Sequence, residues 1–219
     1  MTKKQRAVEI VKRLEAAYPV AECSLSYEDA WQLLVSVRLA AQCTDARVNI
    51  VTEELFAKYP SVEALAAAHP DEIEIIVRPC GLGKTKARDI HLAMNMLLSD
   101  FGGFVPDTMD ALLSIPGVGR KSANLILGDI YKKPAIVTDT HCIRLCGRFG
   151  LTASDNPAVV ERELREIIEP EKGNDFCHRL VQHGREICTA RTPKCPDCFL
   201  PDVCMFGIGE RKTSERKGS

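Results

Sequence analysis

The sequence lacks the features that would place it in a membrane, in a secretory pathway or on a β-sheet scaffold. No stretch approaches the roughly 18 consecutive apolar residues of a membrane span. The start, Met1-Thr2-Lys3-Lys4-Gln5, leads into an amphipathic pattern and not into the apolar core of a signal peptide. Only Ala135-Ile136-Val137 resembles a β-strand, and it is too short to build a sheet. We therefore expect an all-α protein of a reducing, intracellular compartment.

A large net charge is also missing, since the formal total is −1, but the charge is unevenly distributed. Between Pro116 and Phe149 the basic residues outnumber the acidic ones, which are Asp129 and Asp139. The basic residues of this segment are Arg120, Lys121, Lys132, Lys133, Arg144 and Arg148. Such a local basic region is what contact with phosphate groups requires, although it also fits an ordinary solvated helix surface.

Ten cysteines are present, and four of them follow one another closely as C-x6-C-x2-C-x5-C. These four are Cys188, Cys195, Cys198 and Cys204. A set of sulfur ligands without histidine suits Zn²⁺ or an iron–sulfur cluster. Because only one C-x2-C pair is present, the spacing favours a compact cluster over a zinc ribbon. The other cysteines lie mostly in apolar contexts and are typical of core residues.

Two glycine turns have the same pattern, Gly-apolar-Gly-basic-x-x-Ala. They are Gly81-Leu82-Gly83-Lys84 and Gly117-Val118-Gly119-Arg120, each between a short helix and a longer one. The likeness suggests that the fold uses one turn twice. The first copy ends like a phosphate-binding loop, but the position that requires the first glycine holds Arg78 and no strand precedes it, which excludes a nucleoside triphosphatase.

Lys121 and Asp139 are the candidate catalytic residues. The second turn leads into a helix whose free amides and dipole attract a phosphate, with Arg120 adding a charged fork. Lys121 falls in the first turn of that helix, where the dipole disfavours the ammonium form, and a lysine must lose its proton to act as a nucleophile. Lys121 could equally be a lysine that contacts phosphate. Asp139 precedes the next helix, so its simplest role is an N-cap.

Taken together, Leu-x-Ile-Pro-Gly-Val-Gly-Arg-Lys, Val-Thr-Asp-Thr-His and the cysteine pattern resemble the endonuclease III family. This family belongs to the helix-hairpin-helix DNA glycosylase superfamily and is of its iron–sulfur type. The resemblance extends from about Val8 to Cys204, and Ala41-Gln42-Cys43-Thr44-Asp45 is similar to the family's motif at that place.

The resemblance implies two helical domains with a DNA-binding cleft between them. Residues 23–133 would form a six-helix barrel with the helix-hairpin-helix, and residues 1–22 and 134–210 a domain that carries a [4Fe-4S] cluster on the four cysteines. Residues 211–219, with several basic side chains, are expected to be disordered.

The resemblance also implies the chemistry of a bifunctional DNA glycosylase and AP lyase in base excision repair. Lys121 would attack C1′ of a damaged, oxidised pyrimidine nucleotide that is flipped out of double-stranded DNA. Asp139 would stabilise the cationic sugar, and β-elimination through a Schiff base would cut the strand. Gln42 would fill the gap left by the base, and Leu82 would press into the opposite strand. The remaining DNA contacts would come from Gly117, Val118, Gly119, Arg120, His141, Arg144, Arg191 and Lys194.

Two alternatives remain at the level of the sequence. One is a monofunctional mismatch glycosylase of the same superfamily, against which Lys121 argues because those relatives typically lack a lysine there. The other is a non-catalytic iron–sulfur protein that binds DNA. Ala40 replaces a serine common in the family, which leaves the range of lesions open. We expect a monomeric cytoplasmic protein of a prokaryote that acts on chromosomal DNA.

Overall fold

The computed structural model describes residues 1–209, and within them the chain is helical with no β-strand. Eleven complete α-helices lie in this part of the chain, and residues 205–209 are also helical. They are α1 (Lys3–Ala17), α2 (Ala30–Leu39), α3 (Asp45–Lys58), α4 (Val62–Ala67), α5 (Pro70–Val77), α6 (Gly83–Phe101), α7 (Met109–Ser114), α8 (Arg120–Asp129), α9 (Thr140–Phe149), α10 (Pro157–Ile167) and α11 (Gly173–Glu186). The predicted all-α class is confirmed.

The chain divides into two compact units. One is Cys23–Lys132, and the other combines Met1–Glu22 with Lys133–Ser219. The assignment of a barrel to the first and of a cluster domain to the second stays a prediction. The predicted disorder of residues 211–219 lies outside the described residues.

The unit Cys23–Lys132 contains α2 to α8, and its helix starts follow from local capping. The side chains of Thr44, Ser61 and Thr108 each accept a hydrogen bond from a backbone N–H in the first turn of α3, α4 and α7. Helix α6 is the longest of the described helices and packs against α4 and α5. Its buried face places Lys86 among Ala87, Ile90, Ala93, Met94 and Leu97.

The other unit packs α1 against α10 and α11, and α11 against α9. The segment Ala135-Ile136-Val137, which resembles a strand in sequence, is buried irregular chain. It lies against the start of α11, where a Cβ added to Gly173 would be 2.5 Å from the carbonyl oxygen of Ala135. Val137 N–H donates to Cys177 Sγ over 3.3 Å. This segment therefore leads directly to Asp139 at the start of α9.

No helix among residues 1–209 combines the length and the hydrophobicity that crossing a bilayer requires.

Candidate active site and cysteine cavity

The second glycine turn joins α7 to α8 and leaves the start of α8 without a side-chain cap. Val118 N–H donates to the carbonyl of Ile115 over 3.1 Å, and Gly117 has a φ of +79°. Gly119 is the N-cap residue of α8, and it has no side chain to bind the amides of the first turn. These amides and the positive end of the helix dipole form a site suited to an anion.

A buried ion pair supports this turn from below. Arg38 Nε and Nη2 donate to Asp89 Oδ2 over 3.0 and 2.8 Å, and both side chains are largely buried. A Cβ at Gly117 would lie 2.6 Å from Arg38 Cδ. Only glycine allows the backbone to approach the ion pair this closely while its φ is positive.

Lys121 is the second residue of α8, as the sequence predicted, and its side chain is exposed. Its Nζ makes no hydrogen bond or ion pair with residues 1–209. Arg120, also exposed, precedes it at the first position of the helix.

The first glycine turn is built differently from the second, so the expectation of one turn used twice is wrong. Helix α6 begins at Gly83 itself, and both Gly81 and Leu82 have positive φ, 74° and 52°. In the second turn only Gly117 has a positive φ, and the helix begins one residue later in the pattern. A leucine in the left-handed region is strained, because its Cβ crowds the backbone.

Gln42 shares this strained backbone conformation with Leu82. Its φ is 58°, and the side chain is exposed. Leu82 is also exposed, at 57% of its surface. Strained positions of this kind concentrate where a protein contacts a ligand. Among the described residues, three non-glycine residues have a positive φ, namely Gln42, Leu82 and Lys132. Two of these three, Gln42 and Leu82, are the residues that the resemblance predicts to enter the DNA duplex.

Asp139 is the N-cap of α9, which is the structural role that the sequence suggested. Its Oδ1 accepts a hydrogen bond from the N–H of Cys142 over 2.7 Å. The side chain is half-buried, and Oδ2 makes no hydrogen bond with residues 1–209. The cap fixes the carboxylate at the start of the helix and leaves one oxygen for another partner.

His141 and Arg144 project from α9 onto α11. Arg144 Nη2 donates to the carbonyls of Gly184 and Cys188 over 3.3 and 3.0 Å, and it lies 3.3 Å from His141 Nδ1. Burial lowers the pKa of Arg144, with Arg148 adding to the effect. The Nη2 atom of Arg144 is thus already committed to the chain, and the predicted contacts of His141 and Arg144 with DNA remain predictions.

The four cysteines of the C-x6-C-x2-C-x5-C pattern line one cavity of about 340 Å³, a volume that includes space open to solvent. Phe149, His183, Ile187 and Phe206 contribute to its walls. Within residues 1–209 no three His, Cys, Asp or Glu side chains converge closely enough to hold a single metal ion. A donor set of four thiols fits an iron–sulfur cluster.

Arg148 contacts this loop, a role that was not predicted. Its Nη1 donates to Cys188 Sγ over 3.2 Å and to the carbonyl of Thr189 over 2.7 Å, and its Nη2 donates to that of Ala190 over 2.8 Å. Its guanidinium also lies over the ring of Phe206, 5.1 Å from the centroid. The sequence signal was the position of Arg148 four residues after Arg144, on the same side of α9.

His183 was missed as well, although it lies five residues before the first cysteine of the pattern. It is fully buried, its Nδ1 is 3.2 Å from Tyr18 Oη and its Nε2 is 3.7 Å from Cys198 Sγ. Burial lowers the pKa of His183 to about 4, so the ring is neutral near pH 7. A neutral ring with its hydrogen on Nε2 donates toward the sulfur and accepts from Tyr18.

Arg191 and Lys194 are exposed between the first two cysteines, as the phosphate-contact prediction requires.

The model of the HhH-GPD superfamily base excision DNA repair proteins matches residues 35–170. The chain belongs to the HhH-GPD superfamily.

Within this superfamily the chain is similar to endonuclease III. The endonuclease III of Synechocystis sp. is 44% identical over 204 residues, 93% of each protein, and that of Escherichia coli (strain K12) is 34% identical over 203 residues, 93% of this chain and 96% of that protein. A solved structure of a trapped endonuclease III–DNA covalent intermediate, in an estranged-adenine complex, has a TM-score of 0.90 and 37% identity, covering 96% of this chain and 100% of that one.

The predicted resemblance to endonuclease III is thus confirmed. So is the prediction of a base excision repair enzyme that is a DNA glycosylase with AP lyase activity.

Proposed function

We propose that this HhH-GPD protein removes oxidised pyrimidines from double-stranded DNA, with Lys121 as the nucleophile. The observation that carries the proposal is the position of Lys121. It is exposed, it follows an uncapped glycine hairpin, and its Nζ has no partner among residues 1–209. A phosphate bound at the start of α8 would bring the adjacent sugar to this amine. Solved endonuclease III–DNA complexes with the same fold support DNA as the partner.

The proposed reaction needs only an amine, an acid–base partner and water. The neutral Nζ of Lys121 attacks C1′, the bond from C1′ to the base breaks, and the base leaves with the bonding electrons and a proton. Opening of the sugar ring and loss of the second amine proton give a Schiff base. Removal of a 2′ proton then expels the 3′ phosphate by β-elimination, and water releases Lys121 from the cut strand.

Asp139 stabilises the positive charge that develops on the sugar. The carboxylate is held by its N-cap hydrogen bond to Cys142, and the other oxygen stays available. A preorganised charge of this kind lowers the barrier because it needs no reorientation during the reaction. Gln42 and Leu82 fill the duplex where the nucleotide has left it, which fits their exposure and their strained backbone.

The cysteines Cys188, Cys195, Cys198 and Cys204 hold a [4Fe-4S] cluster in the unit that combines the N-terminal helix with the C-terminal part. The cavity that they line and the thiol donors support this assignment. When bound, the cluster supplies structure to a loop without regular helices and does no redox chemistry in base removal. The fold of the loop presents Arg191 and Lys194 to phosphate.

The protein acts as a monomer on the chromosomal DNA of a prokaryotic cytoplasm.

The test is base release and strand cutting on a duplex with one oxidised pyrimidine, for the wild type and Lys121→Gln. We expect the variant to lose both activities by at least about a thousandfold, because a neutral amide cannot form the Schiff base. Lys84→Gln is the matched control, since Lys84 is exposed and is also the second residue of its helix. It should keep both activities. Base release without strand cutting by the wild type would instead support a monofunctional glycosylase.

The cluster assignment has its own test. Cys195→Ala should purify without its full iron and sulfide, and the C-terminal part should unfold at lower temperature. Zinc in place of iron in the wild-type protein would contradict the assignment.

A further inference from the structure

Lys86 is a lysine without access to solvent. It lies in the first turns of α6, and its side chain has a relative exposure of 0%. Its Nζ donates to three backbone carbonyls, those of Leu39 over 2.9 Å, Ala41 over 2.8 Å and Cys80 over 2.8 Å. An ammonium group has three N–H donors, and here each one has an acceptor.

The three carbonyls belong to two separate loops. Leu39 is the last residue of α2, and Ala41 lies just beyond the helix and next to Gln42, while Cys80 precedes Gly81 and Leu82. In both loops a non-glycine residue with positive φ follows a bound carbonyl closely, since Gln42 follows Ala41 directly and Leu82 comes two residues after Cys80. A strained conformation persists only where the surroundings determine it. The same ammonium group therefore ties down the backbone next to both strained residues.

A lysine at this position is not required for packing. The other residues on the buried face of α6 are apolar except for Asp89, whose carboxylate pairs with Arg38 and not with Lys86. A buried charge is unfavourable unless every donor is paired. Desolvation lowers the pKa of Lys86, as expected for a buried ammonium group. A leucine or methionine would fill the same space without this penalty, but it would leave three carbonyls without a donor.

We propose that Lys86 is a positioning residue for DNA recognition, which holds the loops of Gln42 and Leu82 in one fixed arrangement through its three backbone hydrogen bonds. The proposal rests on the proposed function, in which these two side chains enter the duplex. Lys86 itself is buried and does not touch DNA.

A double-mutant cycle tests the proposal. The affinity for a duplex with a tetrahydrofuran abasic analogue is measured for Lys86→Met in the wild type and in the Gln42→Ala/Leu82→Ala background. We expect about tenfold weaker binding in the wild type and less than about twofold in the other background, because the loops then have nothing left to position. Lys58→Met, which removes an exposed charge from the same unit, should change neither value.

Each result decides a separate point. An equal loss of affinity in both backgrounds, or no loss in the wild type, would overturn the role of Lys86 and leave the proposed function intact. No loss with Gln42→Ala/Leu82→Ala itself would overturn the loop contacts, and the role of Lys86 with them. If Lys86→Met fails to fold, Lys86→Gln, which keeps an N–H donor, serves in the same cycle. For Lys86→Gln we expect the affinity for the duplex to fall by less than tenfold, and again only where the side chains of Gln42 and Leu82 are present.

Discussion

Replacing Gly117 by alanine should destabilise the protein far more than the same change at Gly119, two residues away. At Gly117 the φ is +79°, and the new Cβ would lie 2.6 Å from Arg38 Cδ and 3.1 Å from Asp89 Cβ. At Gly119 the φ is −99° and no atom lies within 4 Å of the added Cβ. The two substitutions therefore separate the effect of backbone strain and close approach from the effect of losing any hairpin glycine.

The expected magnitude follows from two contributions. Holding an alanine in the left-handed region costs about 1–2 kcal/mol. Displacing Arg38 weakens hydrogen bonds to Asp89 that are charge-assisted and worth about 1.5–3 kcal/mol each, and the side chains are only 15% and 12% exposed, so solvent screens them little. If one of the two bonds is lost, the free energy of unfolding falls by roughly 2.5–5 kcal/mol. For Gly119→Ala we expect a change within about 1 kcal/mol.

Thermal unfolding of the two variants beside the wild type is the assay. A loss of about 2–4 °C in Tm per kcal/mol is typical for a chain of this size, so Gly117→Ala should melt at least about 3 °C below Gly119→Ala. Similar melting temperatures would refute the argument that the ion pair supports the hairpin from below.

Two further predictions concern the unit that holds the cysteines. Arg148→Met removes donors to a cysteine sulfur and to the loop carbonyls, so metal analysis of the purified variant should find well under its full iron. The control is Arg162→Met, which changes an exposed arginine and should keep the iron. Full iron in both variants would show that the Arg148 guanidinium is not needed. Gly184→Ala would place a Cβ 2.4 Å from His141 Nδ1, and we expect about three- to tenfold weaker binding of the abasic-analogue duplex by fluorescence anisotropy. The control is Gly147→Ala, which meets no atom within 4 Å, and equal affinity of both variants would argue against a DNA contact by His141.

Local signals in the sequence predicted the helices well, because their ends are set by neighbouring residues. The apolar periodicity that follows Asp139 predicts a helix over Thr140–Phe149. The structure has the same bounds, because Asp139 caps the start of the helix and Gly150, with a φ of +73°, ends it. The sequence also predicts a short helix over Pro70–Val77, and the structure has this helix with its proline at the first position. In both cases the information lies within a few residues of the helix end.

Interactions between residues distant in sequence could not be predicted in this way. From the sequence alone Lys86 is indistinguishable from a surface lysine. Its role depends on the carbonyls of Leu39 and Cys80, which are 47 and 6 residues away in the sequence. The shared Gly-apolar-Gly pattern also does not predict that the two turns differ in geometry. The backbone conformation of Leu82 depends on the residues around its loop and not on the sequence of the turn itself. A polar residue on an apolar helix face was the available signal for Lys86.

The most direct test of the central claim is to identify the residue that becomes covalently attached to DNA when borohydride reduces the Schiff base. The wild-type protein is incubated with an oxidised-pyrimidine duplex and borohydride, and the trapped adduct is digested and mapped by mass spectrometry. The account predicts an adduct on Lys121 Nζ that disappears in Lys121→Gln. An adduct on another amine, such as that of Lys84, or strand cutting without any adduct would contradict it.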